Sequence, residues 1–292
     1  MPAPVRYPPG AARVVVTLLE ERDDLEAEYA VELRAQARAT SSTARDVVLA
    51  AGVAVWTMRE HARALRSLRA VGGAFGGALS ALARRAALAG VVLGARQQPR
   101  AIRAFSGRKV RHIEAELVDV NDAIGARTDG VGVSAGEAVA AIAVATSLGA
   151  ARAGWSVSEL ATSLAPSVLR RAEDRGTAVL VTEMVAGLEA GGEAWRRKAG
   201  IRRKVWDATR DRKVCRRCLA NDRQVVDADE PFPDGSWDAP AHTRCRCATM
   251  PWSDDWTRDF DELGLTPGPR AGVAGSVEDK VFSYVAPSLS GP

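Results

Sequence analysis

The chain has 292 residues, enough for one large domain or two modest ones; 47% of them are hydrophobic but only 5% aromatic. A formal net charge of +4 is too mild to mark a nucleic-acid binder by itself. Four cysteines gathered in one stretch argue against a disulfide scaffold and for a reducing compartment. The start, Met1-Pro2-Ala3-Pro4-Val5-Arg6, lacks the apolar segment of a secretory signal.

Residues 1–10 read as a flexible lead-in. From residue 11 to about 190 the pattern is helix after helix, with Ala, Val, Leu and Arg dominant. Ala11–Arg38 places Val15, Leu18, Leu19, Leu25, Tyr29 and Leu33 at helical spacing. Ser41-Ser42-Thr43 predicts an interruption, with Thr43 as the N-cap of a second helix running to about Leu68. The segment Val71–Ala95 is apolar and rich in Gly and Ala, including Gly72-Gly73 and Gly76-Gly77. Arg84-Arg85 would sit at mid-bilayer if it spanned a membrane, so a helix with a small-residue face packed on a neighbour is the expectation. The competing reading is a membrane-active amphipathic helix.

That segment is expected to end near Gln97-Gln98-Pro99, and a further helix to run from Pro99 to about Val120. Asn121–Gly132 reads as a loop by composition. Ser134-Ala135-Gly136-Glu137 and Ser156-Val157-Ser158-Glu159 both have the form of a capping box, and Trp155 and Leu160 stand where a hydrophobic staple would place them. Gly154 is expected to end the helix before the second box, Pro166 to limit the helix after it, and Gly176 to mark an irregularity in the next one. His61 and His112 stand alone on predicted helices and carry no site.

The character changes near Gly191-Gly192. Eleven Lys or Arg lie between Arg196 and Arg217, opposed only by Asp207 and Asp211, and the balance turns acidic from Asp222 to Glu262. The basic run reads either as a DNA-facing surface or as a face that pairs with the acidic stretch. Short β-prone pieces, Lys204-Val205-Trp206 and Gln224-Val225-Val226, replace helical periodicity. Trp195, Trp206, Trp237, Trp252 and Trp256 cluster here and are expected to supply a core. Val281–Val285, in the Gly/Pro/Ser-rich end of the chain, could dock as a strand.

Within this region the cysteines and one histidine read C-x2-C-x23-H-x2-C-x-C: Cys215, Cys218, His242, Cys245 and Cys247. Four thiols and an imidazole are the donors of a tetrahedral Zn2+ site. Five donors exceed four positions, which points to a closed structural ion with no position kept for water. Cys215 and Cys218 form the surest pair. Residues two apart on an extended strand face the same way, so Cys245 and Cys247 could complete the site with His242 outside it; alternatively His242 binds with one of them. A subdomain of about 60 residues has a small core, so the metal is expected to hold residues 201–260 together.

Several pieces in order resemble the head morphogenesis family named after protein F of phage Mu, also called minor head or minor capsid proteins. Gly154–Leu160 is similar to its helix-opening motif, and Ala178–Glu183 to a helix ending in Thr-Glu. Lys204-Val205-Trp206-Asp207-Ala208 followed by Asp211–Cys218 resembles its Trp-and-cysteine core. Pro231-Phe232-Pro233 and Pro240-Ala241-His242-Thr243-Arg244-Cys245-Arg246-Cys247 resemble its closing motif. Two departures stand out: Val181 stands where the family usually has an arginine before Thr-Glu, so any ion pair that arginine makes is not carried over, and no glycine follows the C-x-x-C in Leu219-Ala220-Asn221-Asp222.

The resemblance covers residues 150–255. It implies a non-enzymatic virion protein acting in head assembly, inside the capsid near the portal, present in the host cytoplasm during assembly. Its implied partners are the portal protein, the major capsid protein or scaffold, and double-stranded DNA. The expected class is mostly α. Its parts are a helical domain over 11–153, a module over 154–260 with a zinc-stapled α+β subdomain at 201–260, and an extended tail over 261–292. Competing readings are a zinc-module DNA-binding protein and a metal-dependent enzyme. Glu183, the one candidate acid, has no partner nearby in sequence and reads as structural.

Overall fold

Four long α-helices carry most of the chain in the computed structural model, which describes residues 11–51, 58–107, 118–209 and 214–256. They are α1 (Ala11–Ala50), α2 (Met58–Ser106), α3 (Val118–Ala153) and α4 (Val157–Lys198). Then come β1 (Arg203–Asp207), a short α5 (Arg216–Asn221), β2 (Val225–Asp227) and β3 (Ala248–Trp252). The class is as expected, mostly helical with a small sheet. The lead-in over 1–10, the tail over 261–292 with Val281–Val285, His112, and the basic Arg210, Arg212 and Lys213 lie outside the described residues.

The helices are fewer and longer than local signals divide them. Helix α1 runs straight through Ser41-Ser42-Thr43. Thr40 and Thr43 donate back to the carbonyls of Gln36 and Ala39 (2.8 and 2.9 Å), and Ser41 donates to Ala165 O of α4 (2.8 Å). Hydroxyls that find i−4 carbonyls do not cap; they ride inside the helix. Helix α2 continues across Pro99, because Gln97, Gln98, Ala101, Ile102 and Phe105 are all buried and packing outweighs the one lost hydrogen bond. Pro166 likewise lies inside α4. Residues 121–132 are helical, as is the Ser134 box, since both belong to α3.

Other ends are where the sequence puts them. Ser156 caps α4 in a true capping box: Ser156 N–H donates to Glu159 Oε2 (2.7 Å) and Glu159 N–H to Ser156 Oγ (3.2 Å). Trp155, the expected staple partner of Leu160, is 43% exposed. Gly154 adopts φ +69 and ends α3, with Trp155 N–H bonding to Ala150 O (3.0 Å).

The chain divides into two compact units. One comprises Leu25–Ala86 and Asn121–Glu183. In it α2 and α3 meet through glycines. A Cβ on Gly72 would stand 2.6 Å from Gly136 O, and one on Gly136 2.5 Å from Gly72 O. Gly76 and Gly132 repeat the approach at 2.7 Å. Gly132 and Gly136 thus serve close helix packing, while Gly130, in the same helix, meets nothing within 4 Å. Gly73 and Gly77 have nothing within 4 Å. Gly176 faces Leu33, whose methyl fills the space a side chain would take. Arg59–Ser106 and Ile124–Ala153 are each long and apolar enough to cross a membrane by length and composition; the apolar window is 50% buried in the protein for the first and 33% for the second.

The other unit comprises Met1–Asp24, Ala87–Val120 and Met184–Pro292. Here α2 meets α4 by the same device: a Cβ on Gly187 or Gly191 would lie 2.0 Å from Ala87 O or Val91 O. Beside this contact Ala11, Val15 and Leu18 of α1, Phe105 of α2 and Trp195 of α4 join Val205, Met250, Trp252 and Trp256 in one core. Phe105 meets Trp252 edge-on at 5.8 Å.

Neighbouring glycines in α2 should respond oppositely to alanine. Gly72→Ala forces a methyl against the α3 backbone and should lower the unfolding free energy by about 1–3 kcal/mol. Gly73→Ala meets open space and should raise it by about 0.5–1 kcal/mol. Urea denaturation of both variants checks the contrast.

Candidate metal centre

Helix α4 hands the chain to the sheet at Gly200, which takes φ +70 while Ile201 N–H bonds to Arg196 O (3.0 Å). The sheet is antiparallel in the order β2-β1-β3. β1 is central and separates two cores. Val205 faces the helices, while Trp206 faces a second cluster of Val185, Ala208, Phe232, Ala239, Cys218, Cys245 and Cys247. Trp206 and Phe232 meet edge-on at 5.1 Å.

β3 pairs with β1 on one side, and α4 serves its other side. Glu189 Oε2 accepts the Thr249 N–H (3.1 Å) and Arg196 Nη1 donates to Thr249 O (2.9 Å). Glu189 and Arg196 also bond each other, both only 4% exposed. One ion pair thus does for β3 what a neighbouring strand would do. Burial pushes the Glu189 carboxyl up to about 7 against the pull of Arg196. Asp238 lies 3.8 Å from Arg196 and 3.4 Å from Lys204, whose ammonium is buried, donates to Trp237 O (2.7 Å) and stands over the Phe232 and Trp237 rings.

The donors arrive on two turns. Cys215 is the N-cap of α5, its sulfur accepting the Cys218 N–H (3.4 Å). This places both sulfurs on one side of the turn. Where a glycine would follow the C-x-x-C, Arg223 takes the left-handed conformation, φ 61. The second turn is closed by Cys245 N–H to His242 O (3.0 Å), with Arg244 at φ 63. Asp234 ties the intervening loop to α5 by accepting from Arg217 (2.5 Å) and from Ser236 N–H (2.9 Å). Burial raises its carboxyl, but hydrogen bonds from Asn221, Ser236 and Arg217 outweigh that and hold it at about 2.

All five expected donors converge. Cys215, Cys218 and His242 form one triad and Cys218, Cys245 and Cys247 another, with the ligand atoms of each triad within 4.8 Å of one another. Cys218 belongs to both. His242 Nε2 is 3.2 Å from the sulfurs of Cys215 and Cys218, and Cys218 is 3.7 Å from Cys245. A carbonyl can only accept, so the 2.8 Å contact of His242 Nδ1 with Thr243 O puts a proton on Nδ1, and Nε2 is the ring nitrogen that faces the sulfurs. All four thiols are free. Contacts with Cys218 and Cys247 hold Cys245 down to about 2, while contacts with Cys245 and Cys247, then burial, drive Cys218 upward. Four sulfurs and an imidazole nitrogen gathered this closely are a donor set that could hold a soft or borderline cation.

The basic run is not one surface. Arg196 and Lys204 are buried in the network above, Arg197 pairs with Glu193 (2.5 Å), Arg203 with Asp227 (3.2 Å) and Asp254, and Arg217 with Asp234. The acidic stretch thus supplies most of these partners. Trp195, Trp206, Trp252 and Trp256 are core, whereas Trp237 is 58% exposed. Glu183 is buried and takes its cation from α3: Arg127 Nε lies 2.5 Å from its carboxylate. Glu189 and Thr249 were not legible as site residues. Glu189 and Arg196 stand seven apart on one helix face, but such pairs are common on solvated helices.

The profile of the family described as Phage Mu protein F like protein matches residues 145–250. No curated protein and no solved structure matches the chain.

Arg196→Met would leave Glu189 buried without its cation and Thr249 O without a donor. The expected loss is about 3–5 kcal/mol, read by urea denaturation followed through the buried tryptophans.

Proposed function

We propose that this chain, whose residues 145–250 are a phage Mu protein F-like domain, is a minor head protein that acts in phage head morphogenesis. The observation that carries the reading is the conjunction of that domain with the convergence of Cys215, Cys218, His242, Cys245 and Cys247 in its C-terminal half. The role is structural. Glu183, the candidate acid, is engaged by Arg127.

The metal in this reading is a structural Zn2+. Cys218 and three of Cys215, His242, Cys245 and Cys247 would hold it. When bound, it joins the α5 turn to the arm that leads into β3, closing a small core around Trp206 and Phe232. The protein works in the host cytoplasm during assembly and inside the capsid near the portal afterwards, with the portal and the major capsid protein or scaffold as partners. Contact with double-stranded DNA falls to the exposed arginines of the 196–217 run. The competing regulator reading is weakened by how many of that run's cations are engaged internally.

Two measurements test the proposal. Metal analysis of the purified chain should return one zinc per chain, and Cys218→Ser, which breaks both triads, should abolish it while Cys215→Ser or Cys247→Ser only weakens it. Phage lacking the protein should make aberrant or non-infectious heads, and the protein should co-purify with the portal. Normal heads without it would sink the assembly role.

A further inference from the structure

Helix α1 reaches the metal centre. Arg22 is only 1% exposed although it lies more than 180 residues from the cysteines in sequence. Its Nη2 donates to Asp23 (2.7 Å), a carboxylate that is itself half-exposed. Its Nη1 donates to Thr209 Oγ1 (3.3 Å). The Thr209 hydroxyl has one proton, and that proton goes to the Arg246 carbonyl, between Cys245 and Cys247. The oxygen's lone pairs are therefore what Arg22 meets. Arg22, Thr209 and the Cys245–Cys247 arm thus form one polarised chain of hydrogen bonds, each link with a single allowed direction.

A guanidinium buried this deeply keeps its charge and needs negative charge nearby. Asp23 supplies part of it from the rim. The ligand thiolates of a bound metal would supply the rest from inside. We propose that Arg22 is a positioning residue for the metal centre. Through Thr209 it fixes the Cys245–Cys247 arm and offsets the negative charge of the bound sulfurs. The inference rests on the metal reading above.

The test uses the full chain, with zinc affinity read by competition against a chromophoric chelator and sulfur ligation read from the absorption of the cobalt form. Arg22→Met and Thr209→Val should each weaken zinc binding by about 10–100-fold, as loss of a partner beyond the ligands does. They should also shift the sulfur-to-cobalt charge-transfer band. Arg22→Lys, which restores the charge but not the fork, should recover part of the affinity. Leu18→Ala removes a buried α1 side chain one turn away and should leave affinity and spectrum unchanged. If the native chain binds zinc and Arg22→Met binds it equally, the inference is overturned and the metal reading stands. If Leu18→Ala weakens binding as much as Arg22→Met with no spectral shift in either, Arg22 acts only through helix packing and the inference is again overturned. If the native chain takes up neither zinc nor cobalt, the metal reading fails and this inference goes with it. Should Arg22→Met not fold, Arg22→Lys and Thr209→Val carry the comparison.

Discussion

Glu189 and Arg196, seven residues apart on α4, grip the two backbone groups of Thr249 and each other. The donor arm depends on that clasp. β3 has a neighbouring strand on one side only, and a buried strand edge with unpaired N–H and C=O groups would be unstable. The clasp satisfies both groups with side chains from a helix. It thereby fixes where β3 begins, and so where Cys247, two residues before Thr249, can stand. A buried ion pair is expensive to make in the abstract, because both charges leave water. Here each charge also holds a peptide group that would otherwise be orphaned, which is the circumstance in which such a pair is worth keeping.

Around that clasp the C-terminal part is organised as two small cores sharing one strand. Val205 looks toward α1, α2 and α4, and Trp206 looks toward the cysteines. The alternation of a β-strand is enough to put consecutive residues into different cores. Neither core is large. The helix-facing one is filled by Phe105, Trp195, Trp252 and Trp256, which make up in area what the rest of the chain lacks in aromatics. The other contains sulfur where a larger domain would have leucine, and a metal is the natural way to strengthen such a core.

The long helices use a different economy of packing. With few aromatics and many alanines, they gain contact by bringing backbones close, and glycines at four-residue spacing are the means. Gly72 and Gly76 against Gly132 and Gly136 are one instance; Gly90 and Gly94 against Met184 and Leu188, with Gly187 and Gly191 against Ala87 and Val91, are another. The Ala, Val and Leu between the glycines make α2 and α3 apolar enough to resemble membrane spans.

By itself the sequence determined the helical class, the cap at Ser156, the stop at Gly154 and the five donors, because each is a local chemical requirement: a hydroxyl at an N-terminus, a residue free to take φ > 0, sulfurs two or three residues apart. It also carried the likeness to the Mu F family through residues that cluster around the same donors. Tertiary structure decided what local chemistry leaves ambiguous. Ser41, Thr43 and Ser134 could cap or ride within a helix, and packing kept them inside. Gly132 and Gly136 could turn or pack, and the presence of α2 made them pack. The cations of 196–217 could face a nucleic acid or find acids of their own, and the fold brought Asp227, Asp234 and Asp254 to them. Arg22 meets Thr209 because α1 passes beside it, a neighbour that no spacing in the sequence announces.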